Sequence, residues 1–275
     1  MFFLAVSPAV GGMASTERYK KGRGVLLFDF AQSSEPVELQ YAFTLLAEMK
    51  NNLDYYSDKL SAERLKLCYE IAPPRVKQYL KAEVEYVLKN VGSSDMVLEL
   101  GCGYGRVLRK IVQKTKLAIG VDTSTDSLLL GKKMLRDSKN CVLLKMNAVQ
   151  LGFLDQTFDR VICIQNGISA FHVNQKDLIR ESIRVTKPGG KVLFSSYSAK
   201  FWEDRLEWFR LQSEAGLVGE IDYEKTGNGV IVCKDGFTAT TVRPGQFREL
   251  TSKFDVYAKI VEVDESSLFC VITRY

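Results

Sequence analysis

The chain has 275 residues, of which 46% are hydrophobic and 26% are charged, and its net charge is +5. This length suits one α/β core of about 200 residues with additions, and the composition excludes a largely disordered chain. The 38 Lys and Arg residues are spread along the chain and form no block. The charge therefore neither requires nor excludes binding to nucleic acid.

The first residues, MFFLAVSPAVGGMAS, resemble a short signal sequence but have no basic beginning and contain Pro8. We interpret them as a tail, or as sequence before a translation start at Met13, so it stays open whether residues 1–12 belong to the native protein. Residues 1–35 as a whole are predicted to form a tail or arm. The apolar run in RGVLLFDF is either a strand or a packed segment of that arm.

From Pro36 to Asn90 the apolar residues recur with helical spacing. Three segments predict three helices: LQYAFTLLAEMKNNLDYY, SAERLKLCYEI and PPRVKQYLKAEVEYVLKN. Pro73 and Pro74 mark the start of the last one, because proline is well accepted in the first turn of a helix. These segments form a helical preamble before the core.

Short apolar runs then alternate with helical segments. Strands are predicted at Met96–Leu100, Leu117–Asp122, 141–145 (CVLLK), 159–164 (DRVICI) and from Lys191 (KVLFSS), and helices over 104–114, 125–137 and about 175–186. Such repeated strand and helix units predict right-handed crossovers and a doubly wound, mostly parallel sheet with helices on both faces.

The alternation stops at about residue 199. AKFWEDRLEWFRLQSEA predicts an amphipathic helix, and IDYEKTGNGVIVCKDGFTATTV predicts two or three antiparallel strands, so 199–250 is interpreted as an inserted α+β cap. Residues 251–275 supply two closing strands, joined by a short turn at 264–266, at the edge of the sheet. The predicted domains are thus 1–35, 36–198 (preamble and core), 199–250 and 251–275.

The decisive segment is ELGCGYG, from Glu99 to Gly105, between a predicted strand and a predicted helix. Glycines there let the backbone turn tightly and approach a ligand at a helix N-terminus, which indicates a nucleotide-like ligand. The dinucleotide fingerprint GxGxxG is the nearest rival, but Arg106 stands where it needs glycine or alanine. A carboxylate at Glu99 also suits a cationic ligand better than a pyrophosphate.

Two further polar positions follow the next two strands. Asp122, in GVDTS, ends the second strand, where a carboxylate can accept both hydroxyls of a ribose. Asn147 and Ala148 follow the third strand, where a side-chain amide and a backbone N–H could bind an adenine edge.

In these segments the chain resembles the class I, Rossmann-like methyltransferases that use S-adenosylmethionine (SAM), over roughly residues 90–200. The motifs that carry the resemblance are ELGCGYG, GVDTS, MNAVQLGFLDQTFDRVICI and KPGGKVLF, in the family's order. The resemblance implies a seven-stranded sheet with a reversed C-terminal strand, and SAM as cofactor. It also implies an enzyme of the small-molecule methyltransferase type.

The resemblance further implies a set of binding residues. The glycine loop and Glu99 would contact the methionine and ribose side, Asp122 the ribose hydroxyls, and Asn147, where the family more often has Asp, the adenine. Gln165, beyond the fourth strand, would lie near the transferred methyl. The complete cofactor set is Glu99, Gly101, Cys102, Gly103, Gly105, Asp122, Thr123, Asn147, Ala148 and Gln165.

Methyl transfer from a sulfonium needs alignment of the acceptor and the removal of one acceptor proton. His172, the only histidine, is the candidate general base, and Gln165 is the second candidate catalytic residue. Each has a structural alternative, as a solvated histidine or a loop amide. Tyr55, Tyr56 and Arg75 of the preamble are possible contacts to the methionine end.

The cap contributes five aromatic residues that either pack its core or form an apolar lid over the acceptor: Trp202, Trp208, Phe209, Tyr223 and Phe237. This cap, together with the lack of a basic block, favours a small or medium organic acceptor over nucleic acid as the partner. An RNA or protein methyltransferase, a non-catalytic SAM-binding subunit and, more remotely, a nicotinamide oxidoreductase are the alternatives. The sequence determines neither the acceptor atom nor the oligomeric state.

The cysteines predict a reducing environment. All six lie far apart with no CxxC pair, which favours buried free thiols over disulfides or a zinc site: Cys68, Cys102, Cys141, Cys163, Cys233 and Cys270. No apolar stretch approaches the roughly 20 residues of a membrane-spanning helix. We therefore expect a cytoplasmic protein that is not bound to a membrane and holds no metal.

Overall fold

A computed structural model of the chain describes residues 3–6, 25–28, 55 and 59–275. Strands β1 (Phe3–Val6) and β2 (Val25–Phe28) pair in parallel as a separate two-stranded sheet, so the apolar run in RGVLLFDF contains a strand. The rest of the N-terminal arm and, apart from Tyr55, the first predicted preamble helix with Tyr56 lie outside the described residues.

The other two preamble helices are confirmed as α1 (Ala62–Glu70) and α2 (Pro74–Lys89). Pro73 precedes α2 with an extended backbone, and Pro74 occupies its first turn, where a missing N–H costs no intrahelical hydrogen bond. One face of α2 is buried along its whole length, through Val76, Tyr79, Leu80, Glu83, Val84 and Val87. This spacing of three and four residues attaches α2 to the domain core.

Seven strands form the central sheet: β3 (Met96–Leu100), β4 (Leu117–Asp122), β5 (Cys141–Lys145), β6 (Phe158–Cys163), β7 (Thr186–Tyr197), β10 (Val256–Val263) and β11 (Ser267–Arg274). Their order is β10-β11-β7-β6-β3-β4-β5. Strands β3 to β7 are mutually parallel, and β11 runs antiparallel to both β7 and β10. The predicted doubly wound, mostly parallel sheet with a reversed C-terminal strand is confirmed, and that strand, β11, lies between β10 and β7.

Helices cover both faces of this sheet. Helices α2, α3 (Leu108–Ile111) and α4 (Thr125–Met134) pack on one face, and α5 (Gly167–Ala170), α6 (Gln175–Val185) and α8 (Pro244–Thr251) pack on the other. Successive side chains of a strand point to opposite faces, so Val97 joins the first cluster and Leu98 the second. Both faces are buried, as parallel strands require.

Two core helices differ from the prediction. The helix expected over 104–114 has regular α-helical structure only at Leu108–Ile111, because the tight glycine turns extend to Val107 and irregular turns follow from Val112. The helix expected over 125–137 ends at Met134. Ser124 caps its start by accepting a hydrogen bond from the Ser127 N–H.

The region predicted as a cap contains a 3₁₀ turn (Ala199–Phe201), α7 (Trp202–Glu214) and a two-stranded antiparallel sheet of β8 (Ile231–Val232) and β9 (Thr238–Ala239). The predicted helix and antiparallel strands are therefore present. Helix α8 (Pro244–Thr251) was not predicted. Its Phe247 is fully buried in the core cluster beside α6, although this segment was assigned to the cap. The predicted domain limits themselves stay predictions.

All six cysteines are free thiols, and all but the half-buried Cys141 are buried. Across the described part of the chain, no group of three or more metal-ligating side chains comes together. Among those same residues, no helix is long and apolar enough to cross a membrane.

The turn between β10 and β11 is tied to helix α2. Arg75 donates to the Asp264 carboxylate (Nη1 to Oδ2, 2.6 Å) and to the Asp264 carbonyl, and Gln78 donates to the other carboxylate oxygen at 2.6 Å. Arg75 also lies over the Phe201 ring. These contacts give Arg75 a structural role in place of the suggested contact to the methionine end of SAM.

We predict that Arg75→Met lowers the free energy of unfolding by about 1 kcal/mol, a value reduced by the partial exposure of the ion pair. SAM affinity should stay within about twofold of the wild type, which corresponds to a free-energy change of at most ~0.4 kcal/mol. Urea denaturation and calorimetric titration measure the two quantities. A large loss of SAM affinity with unchanged stability would restore the binding role.

Candidate functional site

The strand order places a crevice at the carboxyl ends of β3 and β6. Strands β3 and β6 are neighbours, and the chain leads from β3 to β4 on one side of this pair and from β6 to β7 on the other. Ligands of open α/β sheets bind outside the strand ends at this kind of switch point. The glycine loop follows β3, and Gln165 and Asn166 follow β6.

The backbone of the glycine loop requires glycine. Gly101 and Gly105 have φ angles of +69° and +79°, which side-chain-bearing residues rarely adopt. A Cβ on Gly101 would lie 2.4 Å from the Phe171 ring, and one on Gly105 would lie 2.5 Å from Leu135. The N–H groups of Gly101 and Cys102 both donate to the Val121 carbonyl, so β4 holds the start of the loop.

Asp122 connects the same loop to the end of β4. Its Oδ2 accepts from the Gly103 N–H and its Oδ1 from the Ser124 N–H, both at 2.8 Å. Each carboxylate oxygen has two lone pairs, so these bonds leave capacity for ribose hydroxyls. The geometry therefore gives Asp122 a structural role in addition to the predicted binding role. Thr123, also in the predicted cofactor set, is exposed beside it.

Glu99 is buried beside the loop, and its Oε2 has no hydrogen-bond partner among the residues that the structure describes. Burial raises the pKa of Glu99 to about 8, an effect that the Arg106 guanidinium opposes and the Asp122 carboxylate reinforces. A buried carboxylate oxygen without a partner is costly and fits a cationic ligand. The sulfonium and ammonium of SAM are such cations, so these residues fit the cofactor.

Asn147 and Ala148 follow β5, next to the end of β4, since the Met146 N–H donates to the Asp122 carbonyl at 3.0 Å. Asn147 is exposed and its Oδ1 accepts from the Val149 N–H, while Ala148 is buried. This position suits an adenine edge, and the assignment stays a prediction.

Two left-handed residues follow β6. Gln165 and Asn166 have φ angles of +55° and +63°, an uncommon conformation that the surrounding contacts must hold in place. The Glu83 carboxylate of α2 accepts from the Gln165 N–H at 2.8 Å. Asn166 donates to the Thr240 carbonyl and accepts from Ser196, both at 2.8 Å. Helix α2 and the 240 segment thus hold this turn in place.

His172 ends the turn after α5, with a φ of +51° and an exposed side chain. The preceding Phe171 lies against Gly101, which brings this turn close to the glycine loop. The structure thus places His172 at the edge of the crevice and does not bury it. Its role as a general base stays a prediction.

Most of the cap aromatics pack together. Trp208, Phe209 and Phe237 are buried, and the Trp208 indole donates to the Cys68 carbonyl at 2.9 Å. Trp202 is half-buried, whereas Tyr223 is 62% exposed and contributes little to packing. The Tyr55 hydroxyl donates to Asp235 of the cap at 2.8 Å, so Tyr55 joins the preamble to the cap in place of its suggested contact with SAM.

The sequence did not assign a function to a polar cluster next to the crevice. The Arg106 guanidinium lies 4.4 Å from the Tyr69 ring centroid, and the Tyr69 hydroxyl donates to Gln165 Oε1 at 3.1 Å. Tyr104 packs edge-on to Tyr69. Arg106 directly follows the last glycine of the loop, a signal in the sequence that served only to argue against a dinucleotide site. Tyr69 and Glu83 gave no such signal.

Comparisons with known proteins agree with this geometry. Residues 97–190 match the family model described as a methyltransferase domain. A demethylmenaquinone methyltransferase of Halalkalibacterium halodurans is 36% identical over 110 residues, which cover 38% of this chain and 44% of that protein. An uncharacterized protein of Methanocaldococcus jannaschii is 30% identical over 155 residues, 56% of this chain and 55% of that protein. The chain thus spans about half the length of the curated relatives it matches.

Solved structures share the fold. The PH0226 protein of Pyrococcus horikoshii aligns with a TM-score of 0.57 at 20% identity, covering 82% of this chain and all of that one. A putative SAM-dependent methyltransferase of Methanococcus maripaludis aligns with a TM-score of 0.56 at 14% identity, covering 82% and 97%. Residues 97–190 thus match a methyltransferase-domain model, and the chain shares the Rossmann-like fold of these structures, in agreement with the resemblance drawn from the motifs.

Proposed function

We propose that this chain is an enzyme that transfers the methyl group of SAM to a small or medium organic acceptor by in-line displacement. The observation that carries the proposal is the buried Glu99 carboxylate, which has an unpartnered oxygen among the described residues and lies beside the glycine loop. The free energy of leaving this oxygen unpaired would be offset by a cationic ligand.

SAM supplies an electrophilic methyl on its sulfonium when it is bound. In the proposal, Glu99 attracts the cationic end of SAM, Asp122 accepts from the ribose hydroxyls, and Asn147 with Ala148 binds the adenine. The loop glycines let the backbone contact the ligand closely. Rate enhancement then comes chiefly from alignment of the acceptor with the sulfur–methyl bond, which can contribute several kcal/mol.

Gln165 and His172 are the residues proposed to act on the acceptor. The fixed direction of the Gln165 side chain supports a role in orienting it. His172, at the edge of the crevice, is proposed to take the acceptor proton. Once an acceptor is known, His172→Gln should lower kcat by at least about 100-fold and leave SAM affinity unchanged. An unaltered kcat would exclude the general-base role.

The small-molecule acceptor is favoured by the packed cap over the preamble and by the name of the Halalkalibacterium halodurans relative, a demethylmenaquinone methyltransferase. That match covers about two fifths of this chain, so we do not propose a quinone as its acceptor. RNA or protein as acceptor is the alternative. RNA binding that weakens steeply with added salt would favour it, because phosphate contacts release counterions.

The first experiment is calorimetric titration of the purified protein with SAM, S-adenosylhomocysteine (SAH) and NAD. We expect SAM and SAH to bind and NAD not to bind. An acceptor screen that detects SAH formation follows. Preferential binding of NAD would refute the proposal, whereas SAM binding without SAH formation on any acceptor would indicate a non-catalytic SAM-binding subunit.

A further inference from the structure

Several hydrogen-bond donors next to the crevice have no acceptor. Nε and Nη2 of Arg106 and Nε2 of Gln165 are buried, and within the described residues none of them has a hydrogen-bond partner. Buried guanidinium and amide nitrogens without an acceptor are costly, since each unpaired N–H has lost its water without replacement. Such a group needs either a ligand or a structural explanation.

The contacts that orient these donors are fixed. The Arg106 guanidinium lies 4.4 Å from the centroid of the Tyr69 ring, and the Tyr69 hydroxyl donates a hydrogen bond to Gln165 Oε1 at 3.1 Å. This bond leaves the Gln165 NH₂ as the free end of the amide. Tyr69 therefore holds the unpaired donors of both residues on one side of the crevice, between the glycine loop and the end of β6.

The nearby acidic groups do not neutralise Arg106 through hydrogen bonds. Both oxygens of Glu83 are occupied, by the Gln165 N–H and by the Ser267 hydroxyl. Burial raises the pKa of Glu99, so much of this carboxyl is uncharged near pH 7 in the ligand-free protein. A planar guanidinium in this setting matches a carboxylate, which can accept two parallel hydrogen bonds from it.

We propose that Arg106 and Gln165 form a carboxylate-binding site, with Tyr69 as the residue that positions both. The inference rests on the proposed function and adds to it the chemistry that the crevice recognises. The carboxylate has two possible sources, the methionine end of SAM and the methyl acceptor. Either way, Glu99 and Arg106 would divide the crevice into a cation-binding and an anion-binding half.

The test uses the full chain and compares Arg106→Gln with Arg109→Gln. Arg109 is an exposed arginine on α3, so its replacement removes the same charge outside the site. The ligands are SAH and 5′-methylthioadenosine, which lacks the amino acid part of SAH. SAH-loaded protein is then titrated with carboxylates and their primary amides, beginning with benzoate and benzamide. Thermal unfolding checks that each variant folds.

We expect Arg106→Gln to lose at least about 20-fold in affinity for one carboxylate ligand, the size of a charge-assisted hydrogen-bonded contact. A loss of affinity for SAH but not for methylthioadenosine identifies the carboxylate of SAM as the ligand of this site. A loss of affinity for the carboxylate probe but not for its amide, with SAH affinity unchanged, identifies an acidic acceptor. Arg109→Gln should change neither the affinity for SAH nor the affinity for the carboxylate probe.

Gln165→Glu provides a second variant. The new carboxylate would lie beside Arg106 and compete with the ligand for it. The variant should therefore lose affinity for the same ligand as Arg106→Gln while remaining folded. Unchanged affinity for SAH and for the carboxylate probe in both site variants would overturn the inference. A wild-type protein that binds neither SAH nor methylthioadenosine would instead overturn the proposed function, so the two failures are distinguishable.

Discussion

Replacing Asp122 with Ala is expected to weaken SAM binding by at least about 200-fold, because the variant loses two charge-assisted hydrogen bonds to the ribose. The structure adds a second expectation. Asp122 also accepts from the N–H groups of Gly103 and Ser124, so the variant should lose about 1–3 kcal/mol of stability. Titration calorimetry and urea denaturation measure the two effects separately.

The control must separate ribose contact from loop disruption. Asp126→Ala removes the same charge from an exposed position four residues along the chain and should leave SAM affinity nearly unchanged. SAH and its 2′,3′-dideoxy analogue provide the direct comparison. The wild type should prefer SAH, and Asp122→Ala should not distinguish the two ligands. If the variant kept the full preference, the ribose assignment would be wrong.

The second large effect concerns Glu99 and pH. Its pKa of about 8 in the ligand-free protein should fall when a cationic ligand binds, so SAM binding should release nearly one proton at pH 7. The affinity of the wild type should therefore rise by up to about 50-fold between pH 6 and 8 and then level off. Calorimetry in buffers of different ionisation enthalpy counts the proton.

Glu99→Gln is the matched variant, since it keeps the shape of the side chain and removes its ionisation. It should bind SAM about 50-fold more weakly at pH 8 and lose the proton release. The amino group of SAM also titrates near this pH, but it does so equally in both proteins, so their ratio isolates Glu99. Equal proton release by the variant would assign the titration to another group.

The same carboxyl should affect stability. The folded state keeps Glu99 protonated to about pH 8, whereas the unfolded chain releases the proton at about pH 4.5. The free energy of unfolding of the ligand-free protein should thus fall as pH rises between these values, by up to a few kcal/mol. Glu99→Gln should reduce this slope without removing it, because burial also raises the pKa of Glu83.

The sequence by itself determined the core of this protein. Strands such as Met96–Leu100 and Leu117–Asp122 were predicted with their observed bounds, because buried parallel strands are continuous apolar runs. The glycine loop was also predicted from the sequence. Its glycines and Asp122 are close in space because the loop and β4 end at the same edge of the sheet, and that adjacency follows from the order of the motifs.

Only the tertiary structure decided the polar cluster at the crevice. Tyr69 and Glu83 come from helices that precede the core, and Gln165 lies about 80 to 100 residues later in the chain. Helix periodicity identifies a buried face but not which distant loop packs on it. The same holds for Arg106, which follows Gly105 in the sequence but stacks on the ring of Tyr69 from the preamble.

The bounds of the short helices could not be predicted from the sequence pattern either. Helix α8 has eight residues, too few for a clear period, and its burial comes from contact of Phe247 with the core. The helix expected over 104–114 is cut to four residues because the glycine turns, held by β4, use up its first part. In each case long-range packing, and not local preference, fixes the backbone and with it the shape of the site.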